Sequence, residues 1–136
     1  TADDLQGALS KAGVAIQPGD VVCVQTGWGR FYETDPVRYA ATEPGLDISA
    51  ARWLTARDVC AVGSDNMAVE VTPGVDHPRI QYPCHQHFLV ESGVYLIENM
   101  MLDELVRDGV TVFCFILAAV KLRHATGVPV RPLALI

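Results

Sequence analysis

The chain has 136 residues, half of them hydrophobic, with 10 Lys/Arg against 16 Asp/Glu and a formal charge of −6. That length suits one domain with a real core. The charges are spread without runs, which argues against disorder and against a basic surface for a phosphate backbone, so no nucleic-acid partner is expected.

Thr1-x-x-Asp4 ahead of Leu5, Ala8 and Leu9 predicts a capped helix ending near Gly13. Nothing before it resembles a secretory signal, and the chain does not begin with Met. After the Pro18-Gly19 turn, Asp20–Gln25 reads as a strand covered on both faces. Thr26–Phe31 follows as a glycine-punctuated loop carrying two exposed-looking aromatics, Trp28 and Phe31. Asp47 is placed to cap a helix bearing Ile48, Ala51 and Leu54 and running to about Arg57.

Val59–Gly63 predicts a second strand, leading into the polar turn Ser64-Asp65-Asn66. A loop with three prolines, Pro73, Pro78 and Pro83, precedes a helix-like segment from Cys84 to Glu91, stopped by Ser92-Gly93. Val94–Glu98 is a third strand and Leu102–Leu105 a short helix. Val110–Ala118 is a fourth strand, within the apolar stretch Val110–Val120. That stretch is 11 residues long, too short to span a bilayer, so no membrane partner is expected, and it is sized for a buried strand. The tail, Val128–Ile136, predicts a fifth strand whose prolines mark a sheet edge. Alternating strands and helices argue for a mixed α+β domain.

Cys23, Cys60, Cys84 and Cys114 lie far apart without a C-x-x-C, and three sit in apolar runs. The expectation is buried, reduced thiols in a cytoplasmic protein.

The sharpest constellation is Cys84-His85-Gln86-His87, with Glu98 thirteen residues beyond His85. On a helix, positions i and i+2 diverge, so the two histidines should not share one metal ion. Glu98 closes an apolar strand, where a carboxylate without a partner would be costly. An inward histidine beside a strand-end carboxylate can serve as a metal pair or an acid–base pair; a hydrogen bond tying the helix–strand turn is the simpler alternative. Trp28 and Phe31 can line an apolar pocket or pack against neighbouring structure. Asp65 can orient a ligand, but holding a turn is the favoured reading. His77 lies in a Pro/Asp loop and is expected to be solvated, and His124 is expected to help terminate an element.

Several pieces in fixed order resemble a cyclase family that includes bacterial kynurenine formamidases and isatin hydrolases. They are Pro18–Val22 leading to Thr26-Gly27-Trp28, Pro44-Gly45-Leu46 before Ala50–Leu54, Ala61–Asp65, His85–Leu89, Gly93–Asn99 and Ala125–Pro132. The resemblance implies a fold of β–β–α units around a mixed sheet, assembled as dimers or tetramers. It also implies hydrolysis of a small amide, cyclic imide or lactone with a divalent metal, zinc or manganese. In that family's pattern, His85 and Glu98 match metal or catalytic positions, and Trp28, with Phe31 near it, becomes a candidate for the substrate pocket.

One departure accompanies the match. The family's His-x-Gly-Thr-His-x-Asp metal motif does not occur here, and family members carry it upstream of the helix with which this chain starts. The expectation is therefore that residues 1–136 form the C-terminal portion of a single cyclase-like domain, incomplete at its N-terminus. Such a chain would bind metal poorly alone and act as a homo-oligomer or together with the missing segment. A non-catalytic binding module that kept the fold, and a ring-closing cyclase, are the rival readings.

Overall fold

The computed structural model describes residues 1–74 and 80–136; His77 lies outside them. Helix α1 spans Ala2–Ala12 and begins as the sequence predicts. The Thr1 hydroxyl accepts from the Asp4 backbone N–H, an amide with no partner within the helix, and the Asp4 carboxylate accepts from the Thr1 ammonium in return. Gly13, at φ 68°, closes the helix in the left-handed conformation that an absent Cβ permits.

Three short strands follow: β1 (Val21–Val24), β2 (Ala61–Ser64) and β3 (Tyr95–Ile97). They form one parallel sheet in the order β1-β2-β3, with Val24 opposite Ser64 and Gly63 opposite Ile97. Strand β2 is central and wholly buried, whereas β1 is an edge strand and only half-buried, less covered than its apolar run predicts. Parallel strands need crossovers. Between β1 and β2 these are α2 (Phe31–Thr34), α3 (Pro36–Ala41) and α4 (Ile48–Thr55). Asp47 caps α4 by accepting from the Ala50 N–H.

Between β2 and β3 runs a helix of two characters. Pro83–His85 form the α-helical turn α5, and Gln86–Ser92 continue as a π-helix ended by Gly93 in the left-handed region. The helix is where the sequence predicts it; its wider winding is not. The main core lies between α4, this helix and the sheet, with Leu54, Val62, Cys84 and Phe88 at its centre. Burying Phe88 alone contributes about 1.5–3 kcal/mol.

Helix α6 covers Asp103–Arg107. Strands β4 (Cys114–Ile116) and β5 (Leu133–Leu135) pair antiparallel in a second, two-stranded sheet. The mixed α+β class therefore holds, with the two strand directions divided between two sheets. The buried fourth strand is corrected: β4 is three residues long, with Cys114 and Ile116 exposed and only Phe115 half-buried against the second core cluster. Val112, Ile116, Val120, Leu133 and Leu135 leave much of their apolar surface open. The cysteine expectation is corrected too, since Cys60 and Cys114 are exposed and Cys23 is half-buried, leaving only Cys84 fully buried; none of the four is in a disulfide. His124 stands in an exposed turn at φ 62°. Among the described residues, no helix is long and apolar enough to cross a membrane.

Candidate functional site

The carboxyl ends of β1, β2 and β3 lie together, the edge where parallel sheets place their ligand sites. Each strand ends in a polar loop there: Thr26–Gly29 after β1, Asp65-Asn66 after β2 and Glu98-Asn99 after β3. The Met100 N–H donates to the Ser64 carbonyl and the Asn99 N–H to the Asn66 carbonyl, binding the last two loops to each other.

His85 sits where α5 passes into the π-helix, and its ring lies between two carboxylates. Its Nδ1 is 2.5 Å from Glu70 Oε1, and its Nε2 is 3.3 Å from Glu98 Oε1. Glu70 is 1% exposed and Glu98 41% exposed at their side chains, so the line runs from the core to the surface through a half-buried imidazole. The hydrogen bond to Glu70, then that to Glu98, push the His85 pKa up from 6.5 to about 9, against the desolvation that lowers it. His87 faces another way, between Glu91 and the Thr55 hydroxyl. The divergence expected for i and i+2 is thus observed.

Glu98 does not occupy a costly buried position: β3 ends at Ile97, one residue before it, and its carboxylate is open to water. The buried carboxylate beside His85 is Glu70, which the spacing of His85 and Glu98 does not point to. Its signal was there: one acidic residue inside Ala68-Val69-Glu70-Val71. A second buried carboxylate, Glu43, accepts from the Met67 and Ala68 N–H groups and from the Thr72 hydroxyl, holding its neighbouring segment.

Trp28 and Phe31 come together edge-to-face at 4.9 Å, with the Arg38 guanidinium over both rings. They are half-buried, not exposed. The Trp28 indole N–H donates to the Tyr39 carbonyl, and the Tyr39 hydroxyl donates to Asn99 Oδ1, next to Glu98. Burial, first among several causes, pushes the Tyr39 phenol up to about 12, so it stays a donor at neutral pH. Asp65 does hold a turn, though not its own. Its buried carboxylate accepts from the N–H groups of Thr26, Gly27 and Gly29 and from the Thr26 hydroxyl, fixing the loop that carries Trp28.

His85 Nε2 and the Glu98 carboxylate are donor types that suit zinc or manganese, and an outer carboxylate on Nδ1 is the usual way a ligating histidine is oriented. They fit as two donors of a site. A catalytic zinc takes three protein donors, and among the described residues no third His, Cys, Asp or Glu joins them.

Fold and site thus define an α+β protein with a histidine–carboxylate centre at the carboxyl edge of a parallel sheet. The family described as "Putative cyclase" matches residues 1–71, and the chain belongs to it. Among solved structures, a novel cyclase matches at 29% identity with a TM-score of 0.85, covering 100% of this chain and 46% of that one. An isatin hydrolase bound to the product analogue thioisatinate shares the fold at 22% identity and a TM-score of 0.81, covering 99% of this chain and 52% of that one. The chain therefore spans about half the length of these two structures. No curated protein matches it.

Proposed function

We propose that this chain forms part of a metal-dependent hydrolase acting on a small amide, cyclic imide or lactone. The observation that carries the reading is the placement of His85 Nε2 beside Glu98 Oε1, 3.3 Å apart, at the carboxyl edge of the sheet. Family membership supports the reaction class, and the isatin hydrolase among the structural neighbours supports a cyclic carbonyl substrate.

His85 and Glu98 would hold the ion, zinc or manganese, which when bound polarises a carbonyl and acidifies a water molecule. In the alternative arrangement, with the ion held by other donors, Glu98, exposed to solvent, takes up a proton from an attacking water, and a protonated His85 passes one to a leaving nitrogen or oxygen. Trp28 and Phe31 form an aromatic wall for the substrate, stiffened by Asp65 beneath their loop. The remaining metal donors come from an associated polypeptide, either a further copy or a segment carrying the rest of the fold. A cleft of about 650 Å³ that runs from Glu98 to the open apolar strands β4 and β5 gives such a partner a place to seat.

Alanine variants test this in the chain as it assembles in solution. His85→Ala and Glu98→Ala are each expected to lower zinc or manganese uptake about 10–100-fold and to reduce hydrolysis of a formylated aryl amine in parallel. Trp28→Ala should keep the metal and raise KM. If metal uptake and turnover were both unchanged in His85→Ala and Glu98→Ala, the assignment would fail. A chain that folds and associates yet takes up no metal would favour the binding-module reading.

A further inference from the structure

We propose that Glu70 is the positioning residue of this site: its buried carboxylate fixes the ring of His85 with the Nδ1 proton turned inward, so that Nε2 is the nitrogen presented beside Glu98. The inference deepens the hydrolase reading and rests on it for its use, but not for its geometry. Glu70 stands on an extended segment that is itself pinned. The Leu46 N–H donates to the Val69 carbonyl and the Val71 N–H to the Leu46 carbonyl, which fixes the backbone on both sides of Glu70. Gly45 lies against the Glu70 carbonyl so closely that a Cβ there would overlap it. The side chain then has one place to go. Oε2 accepts from the Cys84 N–H at 2.9 Å, while Oε1 accepts from the His85 N–H at 2.9 Å and from His85 Nδ1 at 2.5 Å.

One carboxylate therefore sets both the start of the helix that carries His85 and the orientation of its ring. A carboxylate that only capped α5 would need the two backbone contacts and not the third. The third has a chemical consequence. The neutral histidine side chain in water favours the proton on Nε2, away from its own backbone; an acceptor held at Nδ1 reverses that choice and leaves the Nε2 lone pair free for whatever lies next to Glu98.

Nitrogen-15 spectra of the histidine rings, recorded on the labelled full chain through and above pH 9, where the His85 ring becomes neutral, test this without metal or substrate. In the wild type, neutral His85 is expected as the Nδ1–H tautomer by about tenfold or more, the scale of one hydrogen bond to a charged acceptor. In Glu70→Gln the preference should collapse toward the Nε2–H form, while the His87 and His124 rings stay as they were. Glu98→Gln removes the weaker, competing acceptor at Nε2 and should leave the Nδ1–H preference in place or strengthen it. A wild-type spectrum showing neutral His85 as Nε2–H would overturn the proposal even if Glu70→Gln failed to fold, and so would an unchanged tautomer in a folded Glu70→Gln. A wild-type chain that shows the Nδ1–H tautomer yet neither takes up metal nor hydrolyses the aryl formamide in its assembled form would count against the hydrolase reading and leave the positioning role standing.

Discussion

Glu70 and Glu98 have the same side chain on the two nitrogens of one imidazole, yet one is in the core and the other in water. Their effect on His85 gives a pH prediction with a definite sign. The folded-state pKa of about 9 exceeds the unfolded value near 6.5, so folding favours the protonated ring. The resulting stabilisation is complete below about pH 6.5 and is lost as the pH rises through about 9. In buffer containing a chelator, the urea midpoint of the wild type should therefore fall across that window. His85→Asn should show a flatter profile there; an equally steep decline in the variant would place the cause on another group. The pair Glu70–His85 was only half legible in the sequence. His85 and Glu98 were found from their spacing and their family pattern, whereas Glu70 lies 15 residues before His85 and no local pattern signals their contact.

At the scale of elements, the pieces that sequence reasoning placed well are those whose ends are fixed by local chemistry. Helix α1 was readable from its capping box and terminal glycine, and α4 from Asp47. Replacing Asp47 by Ala removes the acceptor for the Ala50 N–H and should cost about 1 kcal/mol, measured by chemical denaturation. Gly45 was legible only as part of the family piece Pro44-Gly45-Leu46; its physical role is to let two backbones touch. Gly45→Ala should destabilise the fold by about 1–3 kcal/mol, the scale of overpacking, and should disturb the His85 ring signals because the strain falls on Glu70. A variant as stable as the wild type, with unmoved ring signals, would remove Gly45 from this account. The π-helix at Gln86–Ser92 could not be read in advance, because the same apolar spacing suits an α-helix and the difference lies in which carbonyl each N–H selects.

For the whole molecule, the apolar run Val110–Val120 was legible as strand-forming, but its cover was not, since what packs on a strand is decided by distant chain. In the fold, Val112, Ile116, Val120, Leu133 and Leu135 remain open around β4 and β5, and clustered exposed apolar side chains mark interaction surfaces. Light scattering should accordingly find the chain associated, and Ile116→Lys with Leu135→Lys should shift it toward monomer; a monodisperse 14.7 kDa wild type would show that this face needs no partner. The central claim, that His85 and Glu98 form a metal-binding pair, is tested most directly by titrating zinc into the labelled full chain while following all four histidine rings. The account predicts that His85 Nε2 shifts first and saturates at one zinc per site, with His87 and His124 following only at higher concentration. A first response at any other histidine, or none at His85, would contradict it.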